Sequence, residues 1–254
     1  MAVTPFHELE RGFYKSTGGV LFVFALLGLW GKADLFRRSF SAGIELGTGV
    51  EMILHIIFVL CFALYLFSLW GERLLLRART FSLSLLAGLA GLALISHGFH
   101  QAPFWSLETV LFPISFFLSS LLLGGVTVGM LLGHWYLIDT GQSIEPFIRI
   151  FKFFVTSLIV QTIFLIILPL WLYLMGDTKT IEGIQRLWEN HRLLLFARVS
   201  IAQFGPLVLS YMIWRTLKIP HTMAATGLFY IALLGVFVGE ILGKQILALT
   251  SLPF

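Results

Sequence analysis

Leu121-Leu122-Leu123-Gly124-Gly125-Val126-Thr127-Val128-Gly129-Met130-Leu131-Leu132-Gly133-His134 lies inside an apolar run that extends over residues 110–138. That run is longer than the roughly 20 apolar residues a helix needs to cross a bilayer. Gly125, Gly129 and Gly133 are four apart, so they share one helix face. Glycines at this spacing let the backbone of a second helix approach closely in lipid. The phrase recurs as Gly235-Val236-Phe237-Val238-Gly239-Glu240-Ile241-Leu242-Gly243-Lys244. Each copy ends on an ionisable residue, His134 or Lys244. Such a group at the edge of hydrocarbon, or within it, is a functional-site candidate by default. Either the stripes only pack helices, or they pack helices around a site.

Composition places the rest of the chain in the same class. Of its 254 residues, 58% are hydrophobic and 12% charged, against about 25% charged in soluble domains. The expected fold is an all-α polytopic transmembrane bundle of about seven spans, taken as one domain over residues 1–254. The spans fall near 17–31, 46–70, 80–99, 110–138, 149–175, 193–215 and 222–249. Trp30, Trp70, Trp135, Trp171 and Trp214 stand at or near the ends of runs and Trp105 precedes one, as headgroup-level tryptophans do. Glu8, Glu10 and Arg11 precede the first run, which is unlike the basic start of a cleaved signal peptide. The segment Lys32–Glu45 reads as a loop or as a stretch lying on the membrane. Ile181, Ile184, Leu187 and Trp188 have helical spacing and predict a short amphipathic surface helix.

Lysines and arginines are slightly more numerous on the side that holds Arg11, Arg73, Arg77, Arg79, Arg149 and Arg215. That excess puts the N-terminus in the cytoplasm, with a bacterial inner (cytoplasmic) membrane as the expected location. The net charge of +4 is accounted for by loops and indicates no nucleic-acid surface. Cys61 is the only cysteine, so no internal disulfide forms. No zinc spacing, phosphate-binding loop or nucleophile elbow is present, and no metal is expected. The two glycine phrases lie three spans apart, so their helices run in opposite directions. If they arose by duplication, the halves form an inverted repeat of the kind common in transporters.

Several residues could carry chemistry. His134, Trp135, Tyr136 and Asp139 form the richest cluster. A quinone head group wants hydrogen-bond donors, an aromatic wall and a proton route, which these residue types provide. The plain alternative is an aromatic belt with a snorkelling histidine. His55, His97, His134 and His221 are the candidates for bis-histidine haem b, which needs two imidazoles at matched depth on different helices. A buried histidine bonded to a neighbouring helix explains His55 equally well. Glu240 and Lys244 are four apart and can pair. Glu51 and Arg198 are further intramembrane charges, free to pair with each other or with Glu240. Pro206, after Gly205, is expected to kink the sixth span beside Gln203.

Gly239-Glu240-Ile241-Leu242-Gly243-Lys244 resembles the acidic-then-basic glycine ending of NrfD-like membrane anchors, the polysulfide-reductase and dimethyl-sulfoxide-reductase type. The resemblance is confined to the last twenty or so residues. It implies a haem-free quinone-binding subunit docked to an iron–sulfur protein.

The first functional reading is therefore a quinone-interacting membrane subunit of a respiratory or photosynthetic-type electron-transfer complex. Its partners would be the bilayer and other subunits, among them an iron–sulfur or multihaem cytochrome protein. The second is a small inverted-repeat transporter or channel with a polar site near Glu51, Arg198 and Glu240. A b-type cytochrome subunit and a purely structural subunit complete the set.

Overall fold

The computed structural model describes residues 3–4, 8–42, 46–99, 106–139, 141–219 and 221–254. His100, Trp105 and Glu45 lie outside them. The described residues are helical, with short connections. The elements are α1 (Arg11–Ala42), α2 (Leu46–Ser68), α3 (Leu74–His97), α4 (Glu108–Ile138), α5 (Glu145–Met175), α6 (Thr178–Asn190), α7 (Arg192–Val199), a π-helical turn (Ser200–Phe204), α8 (Gly205–Lys218) and α9 (Thr222–Thr250). Taking α7, the π turn and α8 as one span, seven helices among the described residues are long and apolar enough to cross a membrane. The chain is an integral membrane protein with an all-α polytopic fold.

The helices group into two compact units, residues 9–98 and residues 1–8 with 99–254. In the first unit, α1 packs on α2 and α2 on α3. The segment expected to be a loop or to lie flat instead continues α1 as far as Ala42. Nothing between Lys32 and Ala42 breaks a helix, since the stretch has neither glycine nor proline. Its first charge is also neutralised, because Lys32 donates to the Glu51 carboxylate of α2. Both side chains are more than half-buried, and pairing lowers the cost of each in lipid. One turn away, the space beside Gly28 is taken by the His55 ring. Between α2 and α3 the close approach is at Gly88, where a Cβ would meet the Phe58 ring at 3.1 Å. Replacing Glu51 with alanine leaves Lys32 unpaired. The expected result is a lower thermal midpoint in detergent, rescued by a second Lys32→Met change. A single-variant midpoint equal to wild type would show that the pair adds nothing.

In the second unit, α9 is central. It packs against α4 on one side and against α7, the π turn and α8 on the other. The α4–α9 register is antiparallel. A Cβ on Gly133 would meet Thr226 and one on Gly129 would meet Phe229. At the other end Ser115, also on α4, donates to the Pro253 carbonyl just beyond α9 at 2.8 Å. Opposed directions are what the inverted-repeat idea requires. The stripes nevertheless serve different neighbours: that on α4 receives α5 and α9, and that on α9 receives α7 and the π turn.

The short amphipathic helix is present as α6, with Leu187 buried and Trp188 exposed. It is tied to α4 through the Glu108 carboxylate, which accepts a 2.7 Å bond from the Thr180 hydroxyl. Leu111, Leu168, Leu187 and Ile246 close the core beneath it.

Candidate functional site

The sixth span explains how a guanidinium reaches the middle of this unit. Proline at 206 has no N–H, and its ring clashes with the carbonyl four residues back in a regular helix. The chain avoids this by widening to a π turn over Ser200–Phe204, closed by the Gly205 N–H bonding to the Ser200 carbonyl. A π turn carries i→i+5 bonds, so Arg198 and Gln203 come onto one side of the span. Both are about as buried as leucines of the core, at 1% and 2% exposure.

Arg198 lies over the second glycine stripe. A Cβ on Gly239 would stand 2.9 Å from its Nη1, and a Cβ on Gly243 would stand 2.9 Å from its Nε. The absent side chains are what admit the guanidinium. Its Nη2 donates to the Glu240 carboxylate at 3.0 Å. The same carboxylate oxygen accepts from Gln161 Nε2 of α5 at 3.1 Å, and Gln161 Nε2 also reaches Ser119 Oγ of α4 at 3.2 Å. A carboxylate can only accept, so this contact fixes which end of the Gln161 amide is nitrogen. Four elements thus contribute to one polar cluster. Gln161 is halfway along α5, and Glu240 is about 15 Å from the Thr250 end of α9 at 1.5 Å per residue. All four residues lie within helices long and apolar enough to cross a membrane.

The cluster is not self-sufficient. Arginine carries five N–H groups and stays charged. Among the described residues, Arg198 Nε and Nη1 and Gln161 Oε1 meet no hydrogen-bond partner. Gln203 is also half-satisfied. Its amide contacts the Thr162 hydroxyl at 2.6 Å, and that hydroxyl also reaches the Leu158 carbonyl at 2.7 Å. One hydroxyl proton cannot serve both acceptors. Whichever way the Gln203 amide is turned, one of its ends has no partner. Unmet donors on a buried cation are costly.

The sequence candidates are placed as follows. Arg198 and Glu240 are brought together. Glu240 takes Arg198 as its ion-pair partner in place of Lys244, whose ammonium lies 3.4 Å from the centroid of the Phe116 ring. An arginine fork aimed across the glycines reaches the carboxylate in a buried setting, whereas Lys244 is on the exposed side of α9. Glu51 belongs to the other unit and pairs with Lys32. Tyr136 is buried, stacks on Phe147 with ring centroids 5.5 Å apart, and donates its hydroxyl proton to the Ser143 carbonyl. Asp139 accepts from the Gln142 side-chain amide at 2.6 Å and orders the turn into α5. His134 points outward and is exposed, while Trp135 is half-buried. His134 and Tyr136 thus face different sides of α4, one outward and one into the core. Of the haem candidates, His55 and His97 are half-buried in the first unit, and His134 and His221 are exposed in the second. The His55 ring meets Phe58 edge to face.

Comparison with protein-family models, with curated proteins and with solved structures finds no match in any of the three. Sequence reasoning passed over Gln161, Ser119 and Thr162. Gln161 is the one amide side chain between Lys152 and Asp177, in a stretch with no charged residue, which was the available signal.

Proposed function

We propose that this integral membrane protein is a transporter, and that the Arg198–Glu240 cluster is where its solute is held. The observation that carries the reading is a permanently charged side chain, 1% exposed, within an apolar span and with two of its three nitrogens unpartnered. Intramembrane charges of this kind mark solute or ion pathways. π turns inside helices are frequent at functional sites, and secondary transporters build theirs at irregular points of spanning helices.

The test is reconstitution of the full chain into lipid vesicles and measurement of osmotic swelling in isosmotic solutions of small polar solutes. The expected result is swelling in at least one class of solute, abolished by Arg198→Gln. Absence of swelling in neutral polyols, zwitterionic amino acids and salts of small acids would refute it.

The second reading is a quinone-reactive subunit of an electron-transfer complex. One observation favours it: exposed His134 stands beside Trp135 at the membrane end of α4, where a lipid-borne ring would arrive from the bilayer. Co-purification with an iron–sulfur or multihaem protein and loss of quinol turnover in His134→Ala would support this reading over the first.

A further inference from the structure

The cluster also carries information about what it would bind. Arg198 has an unmet donor on Nε and unmet donors on Nη1, and these flank the one nitrogen that Glu240 occupies. Facing Glu240 are Arg198 from α7 and two neutral groups, Gln161 of α5 and, bonded to its amide, Ser119 of α4. Lys244, one turn along α9, lies over the Phe116 ring instead. The Phe254 main-chain oxygen and Arg198 Nε both border the space beside Gly243. A buried cation with unmet donors favours an anionic acceptor that can meet two of them at once.

We infer that the cluster binds a small carboxylate anion, taken up by Arg198 in exchange for Glu240 as Glu240 acquires a proton. This rests on the transporter reading and names its substrate class. The exchange balances. One proton moves from water to the Glu240 carboxylate, which releases Arg198 Nη2. The incoming carboxylate then accepts from Nη2 and from Nε on the same edge of the guanidinium. One anion and one proton enter together, so the charge of the cluster is unchanged. Planar carboxylate matches the guanidinium fork in a way a spherical ion does not. Gln161, which bonds Glu240 through Nε2, has a free Oε1; rotation of its amide lets that oxygen accept from the newly protonated acid.

The experiment uses the full chain purified in a neutral detergent, so that no lipid phosphate competes. Its thermal midpoint is measured with sodium acetate, with acetamide as the uncharged isostere, and with sodium chloride at equal ionic strength. Acetate is expected to raise the midpoint where acetamide and chloride do not. Its apparent affinity is expected to weaken about tenfold for each pH unit, the mark of one proton taken up per anion. Glu240→Gln removes the proton from the exchange. That variant is expected to start less stable, to gain more from acetate than wild type, and to lose the pH dependence. Equal effects of acetate and chloride overturn the inference, as does an acetate effect with no pH dependence in wild type. Acetate binding without vesicle swelling would leave the site standing and refute transport. Swelling in another solute with no acetate effect would do the reverse.

Discussion

Glu240→Leu is expected to cost the protein about 3–5 kcal/mol, and a second Arg198→Met change is expected to return most of it. The asymmetry follows from what each substitution leaves behind. Arg198 is 1% exposed and cannot shed its proton, so removal of Glu240 strands a full charge among core side chains. Gln161 Nε2 loses its charged acceptor at the same time and keeps only Ser119. A typical domain has only about 5–15 kcal/mol to lose, so the single variant should express poorly and melt early. Methionine at 198 restores an uncharged side chain of similar length over Gly239 and Gly243. The double variant removes both charges and their desolvation costs together. The check is a double-mutant cycle of thermal midpoints in detergent. A coupling energy near zero would mean that the two side chains do not interact in the folded protein. The same double variant should lose any flux and any response to acetate while it stays folded, which separates the work of the pair from its part in stability.

The contrast between fold and site in legibility has a physical cause. Span positions depend on a summed property, the hydropathy of some twenty residues, so single misjudged residues do not move them. Five of the seven spans fall within about four residues of the helices found. The third starts six residues earlier, at Leu74, because Arg77 and Arg79 suggested a loop, and α1 runs longer at both ends, where Lys32 suggested an exit from the membrane. Its neutralising partner, Glu51, is nineteen residues away in sequence, and no local pattern reveals such pairing. The same limit governs the site. Glu240 and Lys244 looked like partners because they are one turn apart. The actual partner comes from another helix and crosses two glycines whose emptiness is a property of three dimensions. Arg198 and Glu240 were legible as charges in apolar runs and as one of several possible pairings, but nothing in the sequence chose that pairing over the others. At the end of α4, adjacency in sequence did not put the candidate residues on one helix face. Consecutive helical residues point about 100° apart, so His134 and Tyr136 leave the helix on different sides.

Gly239→Ala is expected to be the most damaging single-methyl addition in the second unit. The new Cβ would fall inside the van der Waals shell of Ala202 Cβ, 3.0 Å from Ala202 Cα and 2.9 Å from Arg198 Nη1. Neither neighbour can yield cheaply. Ala202 has no side-chain torsion to rotate and is held in the π turn, and Arg198 is held by Glu240. α9 would have to move away from α7, which lengthens the ion pair and opens the cluster. Overpacking of this kind typically costs about 1–3 kcal/mol, and weakening a buried charge pair adds to it. Gly129→Ala is the instructive comparison. Its Cβ would also clash, at 2.5 Å, but with the edge of the Phe229 ring, a side chain that can tilt. Gly227→Ala has nothing within 4 Å and serves as the neutral control on the same helix. The expected order of thermal midpoints is Gly227→Ala near wild type, Gly129→Ala lower, and Gly239→Ala lowest. If Gly239→Ala melts with Gly227→Ala, the close contact of α9 with the π turn is wrong, and the account of how Arg198 reaches Glu240 fails with it.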